Sequence, residues 1–210
     1  MEKSVLFGTD NKVIPILIKL HSSASDPLVF DCTYNKGTMW KDLSYNIVKS
    51  DVDSTFSVDV VSDFFQMPFR DSVFDVVAYD PPHLPTHAAS KNSSKIWERR
   101  YGITSKGAGR EADNVSGMFM PFLVEAKRVL KENGIILAKI ADLVHNHRYQ
   151  WQHVDFINEV NKVGMTPCDV MIKCDPKAGN LKSSKWRNVK HLRKAHCFWI
   201  VVRKSKKCEV

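Results

Sequence analysis

The sequence predicts an α/β fold built on a mostly parallel sheet with an antiparallel edge strand. Three observations carry that prediction. Short apolar runs recur, and each ends in an acid: residues 28–30 before Asp31, 46–49 before Asp51, 58–61 before Asp63 and 74–79 before Asp80. Runs of this length and composition, bounded by turn-formers, read as buried strands. Amphipathic segments at helical spacing lie among them. The last two runs, 169–173 and 197–203, are linked by a basic segment with no helix between them, which suits antiparallel neighbours.

The elements follow in order. Asp10 and Asn11 can cap a helix with Val13, Ile14, Leu17, Ile18 and Leu20 on one face and Pro15 in its first turn. Residues 22–27 are a loop, 28–30 the first strand and 31–37 its exit turn. A short helix over 38–44 precedes the strands at 46–49 and 58–61. Only about seven residues separate those two strands, whereas a parallel crossover normally takes a dozen or more. Either the crossover helix is trimmed to a loop or the strand boundaries differ. Residues 74–79 form the next strand, and Pro81 and Pro82 stop it.

A long polar segment, 84–117, then reads as a lid or binding loop. Residues 119–130 form a helix with Phe119, Phe122, Leu123, Ala126, Val129 and Leu130 inward, closed by Asn133 and Gly134. Residues 135–140 are a strand. Residues 151–163 are a helix ended by Gly164.

The chain of 210 residues suits one domain with a sizeable core. Its 43% hydrophobic and 26% charged content is that of an ordinary globular protein. The N-terminal residues are too weakly apolar for a signal peptide, and no apolar run is long enough to span a membrane. Five cysteines without a CxxC pair argue for reduced thiols, a cytoplasmic location and no zinc site. His145 and His147 lack a clear third ligand, so no metal is expected.

Charge is unevenly placed. Of the net +8, residues 173–207 carry +11, with 12 Lys and Arg against Asp175. Residues 84–117 carry +3, with 6 Lys and Arg against 3 acids, which leaves −6 for the rest. An acidic body with two basic appendages suits a polyanionic partner, and nucleic acid is the natural one.

Four acids at successive strand ends would converge on one edge of the sheet. Each alone is most often a turn-former. Together they suit a ligand rich in hydroxyls and amines, such as an adenosine, with Gly37 allowing close backbone approach. Asp80-Pro81-Pro82-His83 resembles the (Asp/Asn/Ser)-Pro-Pro-(Tyr/Phe/Trp) motif of S-adenosylmethionine-dependent methyltransferases that act on exocyclic base amines. The stretch from Val29 to Thr38 is similar to their first motif, with one glycine remaining. The resemblance covers about residues 12–140, and extends as a strand pattern over 165–204.

The resemblance implies a Rossmann-like class I methyltransferase sheet and S-adenosylmethionine as cofactor. It places Asp31, Cys32, Thr33, Gly37, Asp51, Asp63 and Phe64 around that cofactor, with Asp51 at the ribose and Asp63 and Phe64 at the adenine. It makes Asp80, Pro81, Pro82 and His83 catalytic. Asp80 would accept one amine hydrogen and the Pro81 carbonyl the other, which localises the nitrogen lone pair. A duplex target would be flipped out and stacked. His83 departs from the pattern: it is either a smaller stacking ring or a turn histidine.

Adenine N6 in DNA is the first expectation. RNA, a cytosine N4 amine or a guanine N2 amine are alternatives, as is a non-catalytic nucleic-acid-binding subunit. Trp97, Arg99, Arg100 and Tyr101 in the 84–117 loop mix aromatics and cations as substrate contacts do. Trp186, Arg187, Lys190, His191, Arg193 and Lys194 repeat the mixture in the basic segment, about 173–196. With no room for a separate recognition domain, a homodimer or partner subunit would extend the recognition surface. Lys139, in a buried strand, either reaches the carboxyl edge or faces outward.

Overall fold

The computed structural model describes residues 2–82, 115–145, 148–175, 191–192 and 194–205. Its elements are β1 (Val5–Phe7), α1 (Asp10–His21), β2 (Leu28–Asp31), β3 (Asn46–Asp51), β4 (Val60–Val61), β5 (Phe74–Tyr79), α2 (Phe119–Val129), β6 (Leu130–Ile140), β7 (Leu143–His145), β8 (Arg148–Gln150), α3 (Gln152–Lys162), β9 (Thr166–Cys174) and β10 (His196–Arg203). Eight of the strands form one sheet in the order β1-β9-β10-β6-β5-β2-β3-β4, and β7 and β8 form a separate hairpin.

Parallel pairing joins β1 to β9 and runs without a break from β6 through β5, β2 and β3 to β4. Only β10 opposes its neighbours, β6 and β9. The antiparallel strand is therefore set two steps inside that side of the sheet. The rim is β1, a strand too short and too exposed to read from sequence: its burial alternates and Phe7 is left in solvent.

Each face of the sheet is covered because strand side chains alternate. On one face, Val13, Ile14, Leu17 and Ile18 of α1 pack on Val29, Val76, Ala78, Leu137 and Trp199. On the other, Phe119, Phe122, Leu123 and Ala126 of α2 and Phe156 and Val160 of α3 pack on Phe30, Val77, Tyr79 and Ile136. These side chains are almost wholly buried, and each Val, Leu, Ile and Phe among them contributes roughly 1.5–3 kcal/mol. Among the described residues no helix is long and apolar enough to cross a membrane.

Several boundaries differ from the sequence reading. Thr9 is the N-cap of α1, and Pro15 is the sixth residue of the helix rather than part of its first turn. The connection between β3 and β4 has no helix. It is a loop pinned by Lys49 N–H to Asp59 Oδ2 (2.8 Å) and Asp59 N–H to the Lys49 carbonyl (2.9 Å).

Helix α2 stops at Val129, and Leu130 already pairs with Phe74. Asn133 (φ 61°) and Gly134 make a tight irregularity inside β6 before pairing resumes at Ile135. Gly164 (φ +69°) does end α3 as expected. Cys32, Cys174 and Cys197 are free thiols, but Cys168 is disulfide-bonded, against the expectation of reduced thiols throughout. Sequence spacing is silent on which sulfurs a fold brings together.

Candidate active site

Strand order reverses between β2 and β5. The chain leaves β2 toward β3 and β4 on one side, and continues from β5 to β6 on the other. Open α/β sheets bind ligands at the carboxyl edge of such a switch point. Here the two sides are tied together: the Thr33 hydroxyl accepts the Asp80 N–H at 2.8 Å, and the Cys32 N–H and thiol both reach the Ala78 carbonyl. Asp31, Cys32, Thr33 and Asp80 thus meet at the β2–β5 seam.

The acids on the β2–β4 side share one local device. Asp31 Oδ1 accepts the N–H of Thr33 at 2.9 Å, Asp51 Oδ1 that of Asp53 at 3.0 Å, and Asp63 Oδ1 that of Phe65 at 2.9 Å. Each aspartate closes a turn on the residue two ahead. Asp31 also takes Trp40 Nε1 on Oδ2 at 2.6 Å, and is fully buried. Burial pushes its carboxyl up to about 7, against the pull of the Trp40 and Thr33 hydrogen bonds. Asp51 takes Asn35 N–H on its second oxygen at 2.8 Å, and burial raises it too.

Gly37 has φ +64°, and a Cβ there would collide with the Tyr34 ring. The close approach that this glycine permits is therefore made by Tyr34 of the same loop. Cys32 is buried in the β2–β5 seam, with burial raising its thiol. Phe64 packs edge-on against Tyr79 and Phe122, whose rings stack at 3.6 Å. The Tyr79 hydroxyl is buried without a hydrogen-bond partner among the described residues. An unpaired buried hydroxyl costs about 1–3 kcal/mol.

Asp80 cannot use the device of the other three acids. The residue two ahead is Pro82, and the residue next to it is Pro81; neither has an N–H to offer. Both prolines are buried. The Asp80 carboxylate instead meets a charge from the neighbouring strand, Lys139 Nζ at 2.9 Å from Oδ2.

Lys139 also reaches Asp10 Oδ2 at 3.1 Å, and Asp10 Oδ1 in turn takes Lys173 Nζ at 2.9 Å and Trp199 Nε1 at 3.2 Å. Four charges alternate along Asp80, Lys139, Asp10 and Lys173, drawn from β5's end, β6, α1 and β9. Burial alone would lower the Lys139 ammonium, but the Asp80 and Asp10 carboxylates outweigh it and hold it well above its ordinary value. Lys139 is thus a fixed cation at the carboxyl edge, the first of the two sequence alternatives. In sequence Asp10 reads only as a helix cap, and Lys173 and Trp199 carry no separate signal; a lysine inside an apolar strand is the one pointer to this network.

His83, Trp97, Arg99, Arg100, Tyr101, Trp186, Arg187, Lys190 and Arg193 lie outside the described residues.

No protein-family model matches the chain, and no curated protein does. Solved structures do resemble it. A Bacillus halodurans protein designated a methyltransferase superposes with TM-score 0.56 at 12% identity, over 92% of this chain and 99% of that one. A Haloferax volcanii protein designated a methyltransferase, solved with the Trm112 methyltransferase activator, gives 0.56 at 12% identity over 95% and 91%. An SAM-dependent methyltransferase from Methanosarcina mazei gives 0.53 at 11% identity over 90% and 98%. The likeness is one of fold, and that fold is the Rossmann-like class I methyltransferase sheet.

Proposed function

We propose that this protein is an S-adenosylmethionine-dependent methyltransferase acting on the N6 amine of adenine in nucleic acid, with DNA the favoured polymer. The observation that carries the reading is Asp80-Pro81-Pro82 at the switch point, with Asp80 held from both sides by Thr33 and Lys139. The fold shared with methyltransferases named as SAM-dependent supports the cofactor.

Asp51 and Asp63, at the carboxyl ends of neighbouring segments, would hold the ribose hydroxyls and the adenine. Carboxylate oxygens that already accept one N–H retain further lone pairs for hydroxyls and amines. The unpaired Tyr79 hydroxyl, within electrostatic reach of Asp63, is a donor suited to a heteroaromatic ligand on that side. Bound S-adenosylmethionine supplies an electrophilic methyl group on a sulfonium sulfur.

The chain's own part is to make a poor nucleophile better. The lone pair of an adenine amine is delocalised into the ring. Asp80 accepts one amine hydrogen and the Pro81 carbonyl accepts the other, so the lone pair is localised on nitrogen and aimed. Pro81 and Pro82 offer the Asp80 carboxylate no backbone N–H at the two nearest positions. Lys139, 2.9 Å from Oδ2, orients it.

Labelled-methyl transfer onto separate DNA and RNA pools, followed by nucleoside analysis, tests the reading. N6-methyldeoxyadenosine is the expected product. Label in RNA alone, or on cytosine, would move the substrate to one of the alternatives, and no incorporation would overturn the enzyme. A second reading, a non-catalytic subunit of the same fold, draws on Tyr34 filling the space above Gly37. Absence of heat on titrating S-adenosylmethionine to millimolar concentration would favour it.

A further inference from the structure

The chain segment that follows β6 carries aromatic rings that the active site does not use. Tyr149 and Trp151 are two residues apart at the end of the β7–β8 hairpin, their ring centroids 4.1 Å apart. Trp151 continues to His153 at 6.3 Å, and His153 stacks on Phe198 of β10 at 4.1 Å with planes 16° apart. His196 meets Phe198 edge-on. Trp151 is exposed and Tyr149, His153, His196 and Phe198 are half-buried, so the rings make one contiguous row that reaches the surface.

The row is built rather than incidental. His153 is pinned by Asp142, which is 5% exposed and accepts both the His153 N–H (3.2 Å) and Nδ1 (2.7 Å) on one oxygen. A carboxylate can only accept from the ring, so Nδ1 carries a proton and the ring plane is fixed. At the outer end Trp151 is 55% exposed, and Lys194 Nζ lies 3.9 Å from the Tyr149 ring centroid. Arg148, on the same hairpin strand, is exposed.

Its place is set by strand register. Trp199 pairs with Lys139, the residue that holds Asp80, and Phe198 pairs with Ile140 one residue further toward the carboxyl edge. The row therefore starts at the same carboxyl edge as the active site, on the sheet face opposite to Lys139, and runs outward from it.

We propose that Tyr149, Trp151, His153 and Phe198, with Lys194 and Arg148, form a stacking surface for single-stranded nucleic acid flanking the target base. Rings with interleaved cations match the two faces of such a strand: bases stack on the rings and phosphates meet the charges. A duplex keeps its bases stacked on one another and has none to offer. An apolar protein segment would leave the two cations without a counter-charge. The proposal rests on the nucleic-acid reading above and assigns the strand a path on the described surface.

The test is fluorescence anisotropy of the full chain with a labelled mixed-sequence single strand of about a dozen nucleotides. It is run without cofactor, so an inactive enzyme leaves the result intact, and a failed surface leaves the methyl-transfer assay intact. Trp151→Ala is expected to weaken binding about tenfold or more, and Trp151→Phe to stay within about threefold, because stacking needs a ring rather than an indole. Lys194→Gln should lower the slope of log K against log salt by about 0.7. Tyr149→Leu is the second stacking variant and should also lose about tenfold, should Trp151→Ala fail to fold. Unchanged affinity in the folded ring-deleting variants would overturn the proposal. So would equal losses for single strand and duplex, or no binding by the wild-type chain.

Discussion

The two sides of the carboxyl edge hold their acids by opposite means. On the β2–β4 side, Asp31, Asp51 and Asp63 each bond the backbone N–H two residues ahead. Their geometry is local, and each would form wherever the strand ends. On the β5–β6 side, Asp80 is followed by two residues without an N–H, and its carboxylate is met by Lys139 from another strand. The difference teaches what the prolines do beyond stopping a strand. They remove the two nearest backbone donors, and the carboxylate is met by Lys139 from the neighbouring strand and, in the proposed reaction, by the substrate amine.

Replacing Asp80 by Ala attacks the second side directly. Methyl transfer should fall by about a thousandfold or more, while the calorimetric affinity for S-adenosylmethionine changes by less than about threefold. Retained transfer would show that another carboxylate acts.

Lys139→Gln comes next. It leaves Asp80 and Asp10 without their shared cation, so turnover should drop on the order of a hundredfold, with urea denaturation showing a loss of roughly 3 kcal/mol. Lys139→Arg should recover much of both. If the glutamine variant lost stability but kept full turnover, the lysine would serve the fold alone.

Pro82→Ala tests the contrast at its root. It restores an N–H two residues after Asp80 and should convert Asp80 to the turn-closing form of the other three acids. A loss of about tenfold in kcat with little change in stability is expected, since one charge-assisted hydrogen bond is at stake. Wild-type kcat in this variant would remove the competition argument.

The remaining prediction is a pH dependence on the first side. The folded-state value of Asp31, about 7, lies above the unfolded value of about 3.9. The folded state therefore binds the extra proton between those limits, and the Asp31 contribution to stability declines as pH rises through that window. Asp31→Asn does not titrate. Its stability deficit against wild type, measured in urea, should shrink from pH 5 to pH 8. A deficit that is constant or grows would place the Asp31 value outside that window.

Much of this was legible in the chain. The strands 74–79 and 197–203, the helix ended by Gly164 and the four strand-end acids rest on local composition, and local composition decides where a strand stops and what closes it. Thr33 and Asp80 were both in view, although their hydrogen bond was not. The misplaced boundaries have local causes too. Asn133 and Gly134 fit a helix end as well as a strand irregularity, and the pairing of Leu130 with Phe74 decides between them.

By itself, then, the sequence determined the α/β order of elements and the position of Asp80 at a strand end with no N–H beside it. Those are properties of neighbours in the chain. Only the tertiary structure decided that Lys139 binds Asp80, that Asp10 joins Lys139 to Lys173, that Tyr34 covers Gly37, and that Phe198 stacks on His153. Each of those pairings except Tyr34 with Gly37 spans more than thirty positions. The charge or ring that completes them is supplied by strand order and register, which no local pattern encodes.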